Sequence, residues 1–172
     1  MLTGDVLPTS GTAYLDGLNI LTSQLAIRRF IGYCPQFDAL LELMTAREHL
    51  ELYGRLKGLH PAHVLEAEVV DKLHRLNLTD FETKLAGSLS GGNKRKLSVA
   101  IAMLGRPKIL MLDEPSTGMD PVSKRFMWEV IANVSTGTKG RTMCFIRTLT
   151  QLTFTCGVRI NGYSHNTFHG RM

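Results

Sequence analysis

Residues 109–114 read Ile109-Leu-Met-Leu-Asp113-Glu114. Four consecutive apolar residues closed by two acids describe a strand covered on both faces of a parallel sheet. The acids then fall at the sheet's carboxyl edge, where open α/β sheets bind their ligands. The first carboxylate is well placed to hold magnesium, often through water, and the second to polarise an attacking water. Read alone, the stretch also fits a strand that simply meets a polar loop.

Upstream, Leu89-Ser-Gly-Gly-Asn93 opens a helix. Two glycines at a helix N-terminus leave backbone N–H groups bare, the dipole adds to them, and Ser90 offers a hydroxyl, which together form an anion cradle. An ordinary glycine-rich cap has the same composition. Lys94-Arg95-Lys96 follows in the first turn, where cations oppose the dipole at a cost of a few tenths of a kcal/mol each. A polyphosphate nearby would account for them, although a solvated face is the expected role of at least two. Downstream, Asp120-Pro121 is an N-cap with proline at the first helical position. Phe126, Val130 and Val134 continue at helical spacing.

Together with Pro115-Ser-Thr-Gly-Met-Asp120, these stretches resemble the nucleotide-binding domain of an ATP-binding cassette (ABC) transporter. Leu89–Asn93 is similar to the family's signature motif, Ile109–Glu114 to its Walker B strand, Ser116–Asp120 to its D-loop, and Gln36 in Gly32-Tyr-Cys-Pro-Gln-Phe-Asp38 to its Q-loop. The wording Asn93-Lys-Arg-Lys-Leu-Ser and Ser-Thr-Gly-Met-Asp-Pro resembles most the A subfamily, whose members mostly move lipids. The resemblance covers roughly residues 1–147 and implies a P-loop NTPase-like α/β fold, a parallel sheet with a helical signature subdomain over about 45–95. It implies ATP and Mg2+ as ligands, a second nucleotide-binding domain and transmembrane domains as partners, and a place on the cytoplasmic face of a membrane through a parent transporter. It further implies that Asp113 and Gln36 attend the magnesium, Glu114 is the general base, and Ser90, Gly91 and Gly92 clasp the partner domain's ATP. Gln36 would also couple to the membrane helices, and Asp120 would link the two sites.

Three departures qualify this. The sequence contains no G-x-x-x-x-G-K-[ST], the loop that cradles phosphates. Met1-Leu-Thr-Gly-Asp5 resembles the stretch just after that loop, so the chain is expected to begin inside the Walker A helix, without the upstream adenine-stacking aromatic. Thr148 stands at the switch-histidine position, and no histidine occurs between His74 and His165.

The rest of the chain reads as one ordinary domain. Its 172 residues are 44% hydrophobic and 20% charged, which excludes disordered, collagenous and disulfide-scaffold classes. Three scattered cysteines point to a reducing compartment. No uncharged apolar run approaches the roughly 18 residues of a membrane span, and no signal peptide is legible; the chain alone is expected to be soluble. Residues 1–86 carry 8 basic and 11 acidic residues, residues 87–172 carry 12 and 4. The basic half raises nucleic acid or acidic lipid as partners, but from Ser135 onward the chain has no acid and eight threonines. That break marks 148–172 as a divergent tail, consistent with a changed reading frame, and no nucleic-acid partner is expected.

Gly11–Gly17 predicts a short strand closed by an Asp-Gly turn, and Ile31–Cys34 a second strand. Thr45-Ala-Arg-Glu48 is a capping box, opening a helix with Ala46, Leu50, Tyr53 and Leu56 on one face. A helix after Pro61 buries Leu65, Val69, Leu73 and Leu76. The signature helix turns Leu97, Ile101 and Leu104 inward. Thr142–Ile146 is a further buried strand, and 152–160 alternates as a strand with one solvated face. The resemblance places 31–34, 109–112 and 142–146 side by side in that order and parallel. It also implies that the strand pairing with the outer edge of 142–146 is missing, so an unpaired apolar edge that invites aggregation is expected there, unless 152–160 moves in to cover it. Gly32, Tyr33 and Trp128 read as core. His60 and His63, and the set Cys144, Cys156, His165 and His169, lack metal-ligand spacing.

Two other functional classes compete with a transporter ATPase. A DNA-maintenance ATPase shares the signature and Walker B, but inserts a long coiled coil before the signature; here only 54 residues separate Gln36 from Ser90. A non-catalytic fragment that pairs with a complete cassette accommodates the missing loop.

Overall fold

The structure, a computed structural model, describes residues 11–136, 143–147 and 152–155. It begins with a hairpin, β1 (Tyr14–Leu15) and β2 (Leu18–Asn19), where the sequence suggested one strand. Asp16 and Gly17 both take positive φ, 50° and 78°, the pattern of a two-residue hairpin turn whose twist matches its strands. Helix α1 (Gln24–Phe30) follows and runs directly into β3 (Ile31–Cys34). Its seven residues bury only Ile27, so it carries no apolar stripe that could have announced it.

Helix α2 (Ala46–Leu56) starts at the complete capping box: Thr45 accepts from the Glu48 N–H, and the Glu48 carboxylate accepts from the Thr45 N–H at 2.7 Å. Its buried face carries Ala46, His49, Leu50 and Gly54. Leu56, expected on that face, is 72% exposed. The reason is a close approach to α3 (Ala62–Arg75): a Cβ on Gly54 would lie 2.3 Å from Leu65 Cδ1. This turns the α2 face toward Gly54 and away from Leu56. Two short 3-10 turns, Thr79–Phe81 and Ala86–Ser88, lead to α4 (Gly91–Ala102).

Strand β4 (Ile109–Asp113) is buried along its four apolar residues. Helix α5 (Pro121–Thr136), β5 (Met143–Arg147) and β6 (Leu152–Thr155) complete the order. The sheet runs β3-β4-β5-β6, the first three parallel and β6 antiparallel to β5. Ile31 pairs with Ile109 and Ile109 with Met143, as the expected order requires. The 152–160 alternation is described only as far as Thr155, and Thr148 lies outside the described residues.

β4 feeds two cores. Ile109 and Met111 join Leu15, Ile20, Ile27 and Ile31 on one face. Leu110 and Leu112 face the larger cluster, which runs without a break through Leu97 and Val99 of α4 to Leu65, Val69 and Leu73 of α3. On α5 the fully buried positions are Met127 and Ile131, while Phe126, Val130 and Val134 are only partly covered. Tyr33 is 43% exposed rather than core, whereas Gly32 is buried and Trp128 is partly buried against the main cluster.

Candidate functional site

The carboxyl ends of β3 and β4 lie side by side because the strands are parallel and in register, Cys34 opposite Leu112. Each strand then delivers its next residues to one edge: Gln36 from β3, and Asp113 and Glu114 from β4. Gln36 is exposed, Asp113 partly exposed and Glu114 buried. The Gln36 Nε2 donates to Glu114 Oε2 at 3.4 Å, and the Thr117 hydroxyl donates to the same oxygen at 3.0 Å. Thr117 was not singled out from the sequence; its only signal was its place three residues past Glu114.

Glu114 takes φ of 49°, a left-handed conformation that costs a non-glycine residue on the order of 1–3 kcal/mol. Something must hold it there, and Arg95 does. Its guanidinium Nη2 donates to the carbonyls of Asp113 and Glu114, the latter at 2.9 Å, while Nη1 donates to the carbonyls of Pro35 and Gln36 and to the Asp38 carboxylate. The basic triplet after the glycines therefore splits. Arg95 is buried and turned away from the helix end toward the two loops. Lys96 lies over the Phe126 ring at 5.3 Å, and Lys94 is partly exposed. The readable sign for Arg95 was its spacing from Ser98 and Ala102, three and seven residues on, small residues on a common helical face.

Ser90 is the N-cap of α4, its hydroxyl accepting from the Asn93 N–H at 3.3 Å. A Cβ on Gly91 or Gly92 would meet nothing within 4 Å, and neither has positive φ. Neither glycine is demanded by the packing or backbone of this chain; the bare helix end faces open space. Asp120 caps α5, accepting from the Val122 and Ser123 N–H groups at 3.1 and 2.9 Å. Hydrogen bonds from Ser123, side chain first and backbone next, hold its carboxyl below the usual carboxylate range.

Cys34 is fully buried beneath this edge, and burial pushes its thiol up to about 12. It is an inert packing residue. Among the described residues no three His, Cys, Asp or Glu side chains are grouped to hold a metal. His60 and His63 are both exposed; Cys156, His165 and His169 lie outside the described residues. One carboxylate and a neutral oxygen donor, Asp113 and Gln36, suit magnesium, which takes one or two carboxylates and completes its shell with phosphate oxygens and water. No helix among the described residues is long and apolar enough to cross a membrane.

A family model described as ABC transporter matches residues 1–117. The chain is 52% identical over 134 residues to the retinal-specific phospholipid-transporting ATPase ABCA4 of Homo sapiens, and 52% identical over 135 residues to ATP-binding cassette sub-family A member 2 of Rattus norvegicus. Each match covers 78% of this chain and 6% of the relative, so the chain spans a small fraction of the curated relatives' length. Among solved structures, a dimeric post-hydrolysis state of the ATP-binding cassette MJ0796 bound to ADP and Pi matches with a TM-score of 0.74 at 24% identity. It covers 84% of this chain and 65% of that one. A second dimeric structure of the same cassette matches equally well, at 22% identity. These two likenesses carry the fold: a P-loop NTPase sheet with its helices.

Proposed function

The chain belongs to the ABC transporter family, and on that premise we propose that it is a cassette of an A-subfamily-type transporter whose parent protein binds and hydrolyses ATP to move a lipid across a membrane. The observation that carries this is the meeting of Gln36 and Glu114 at the carboxyl edge of parallel β3 and β4. In this reading Asp113 and Gln36 hold the magnesium, which supplies positive charge to the phosphates. Glu114 accepts the proton of the attacking water, its carboxylate aimed by Gln36 and Thr117. Ser90, Gly91 and Gly92 present their donors to a nucleotide held by a second cassette. Asp120 lies between the two sites; of residues 148–172, read from the sequence as a divergent tail, 152–155 join the sheet as β6.

A second reading has its own support. The 172 residues contain no G-x-x-x-x-G-K-[ST], so the chain by itself acts through its signature face on a complete cassette rather than as an ATPase. A P-loop supplies several charge-assisted bonds of about 1.5–3 kcal/mol each; three of them are worth on the order of 5–9 kcal/mol. At about 1.4 kcal/mol per tenfold, their loss takes a micromolar site beyond millimolar. Titration with magnesium-ATP tests both readings. The chain alone should bind at millimolar or weaker. Added to a complete cassette, it should change that partner's ATPase rate, and Ser90→Ala should remove the change. Micromolar binding by the chain alone would reveal a phosphate site elsewhere in these residues and overturn the second reading. Absence of any Ser90-dependent effect would sink the cassette reading.

A further inference from the structure

Gln36 and Glu114 stand on separate loops, and the side chain of Arg95, which comes from a third element, grips the backbone of both. It is 3% exposed. Nη1 reaches the Pro35 carbonyl at 2.5 Å, the Gln36 carbonyl at 3.2 Å and Asp38 Oδ1 at 3.1 Å. Nη2 reaches the carbonyls of Asp113 and Glu114. The same residue sits within the first turns of α4, whose N-cap is Ser90. A planar guanidinium offers its donors in a fixed fork, so a shift of this helix end carries both loops with it.

Resting on the cassette reading above, we propose that Arg95 is a positioning residue that relays the state of the Ser90 helix end to Gln36 and Glu114. When a ligand engages Ser90 and the glycines, α4 is fixed, and through Arg95 the two loops are fixed with it. Lysine keeps the charge but brings one nitrogen in place of a fork, so it cannot hold both loops at once.

The test is amide hydrogen exchange on the full chain, comparing wild type with Arg95→Lys, Arg95→Met and, as a control for general destabilisation, Val69→Ala in α3. In Arg95→Lys, exchange at 36–39 and 113–117 should rise tenfold or more, while α3 stays within about twofold of wild type; Val69→Ala should not reproduce this pattern. If Arg95→Met fails to fold, the lysine variant carries the comparison. Adding a complete cassette with magnesium-ATP should protect 90–94 in both wild type and Arg95→Lys, but protect 36–39 and 113–117 only in wild type. Equal spread of protection in both proteins overturns the relay. So does exchange in the two loops that is unchanged or rises only in step with the whole chain. Lack of protection at 90–94 in wild type would count against the cassette reading instead, leaving the comparison without ligand to decide whether Arg95 holds the loops.

Discussion

Gly32 lacks a side chain because there is no place to put one: a Cβ there would sit 1.9 Å from the carbonyl oxygen of Ala102. The obstacle is backbone, which cannot swing aside. Gly32→Ala should therefore lose at least the ~1–3 kcal/mol usual for overpacking, read as a lower midpoint in urea. Two residues on, Cys34 gives a pH signature. Burial raises its thiol in the folded chain from the ordinary 9.0 to about 12. Above pH 9 the unfolded chain loses this proton and the folded chain keeps it. The contribution of Cys34 is thus constant below pH 9 and falls between 9 and 12, by about 1.4 kcal/mol per pH unit. Cys34→Ala should unfold with a shallower decline over that window when the two are compared by denaturation. In the candidate site, the meeting of Gln36 with Glu114 and the cap by Ser90 lie where the motifs put them, because motif spacing carries position. Arg95 was missed: a triplet of cations does not declare which one turns inward, and only its place on the face of Ser98 and Ala102 could have singled it out.

Capping chemistry is the part of the elements that local sequence states outright. Thr45 and Glu48 satisfy each other's backbone donors at the start of α2, and Thr45→Ala should cost about 1 kcal/mol, seen as a drop in melting temperature. Ser90 caps α4 with the hydroxyl half of that arrangement alone, accepting from the Asn93 N–H, so Ser90→Ala should cost about 1 kcal/mol of stability. Ser90→Thr, which keeps a hydroxyl, should largely restore it, as paired thermal melts of the three variants would read. Helix faces were less legible than helix ends. On α2, Leu56 falls about 90° from the centre of the buried stripe at 100° per residue. Only the Gly54–Leu65 approach decides that it stays outside. On α5 the periodicity was real, but the true axis runs through Met127 and Ile131, one residue round from Phe126 and Val130.

For the molecule as a whole, the mixed sheet is the organising fact. The order of β3, β4 and β5 followed from family resemblance, since strand sequences alone do not encode their neighbours. The antiparallel fourth strand covers the outer edge of β5, as the alternating pattern after residue 151 allowed. Ending the chain after Arg147 should uncover that edge, an apolar run of main-chain donors and acceptors that templates association. Size-exclusion chromatography should then show larger species than the full chain gives. The grip of Arg95 has a consequence at this scale as well. Four of its five acceptors are carbonyl oxygens, so it does not depend on which side chains stand at 35, 36, 113 and 114. Chemistry and architecture are thereby written in different parts of the same residues. On the proposed reading, a descendant of this chain that exchanged Glu114 for an inert residue would lose its general base and still present an unaltered shape to whatever it assembles with.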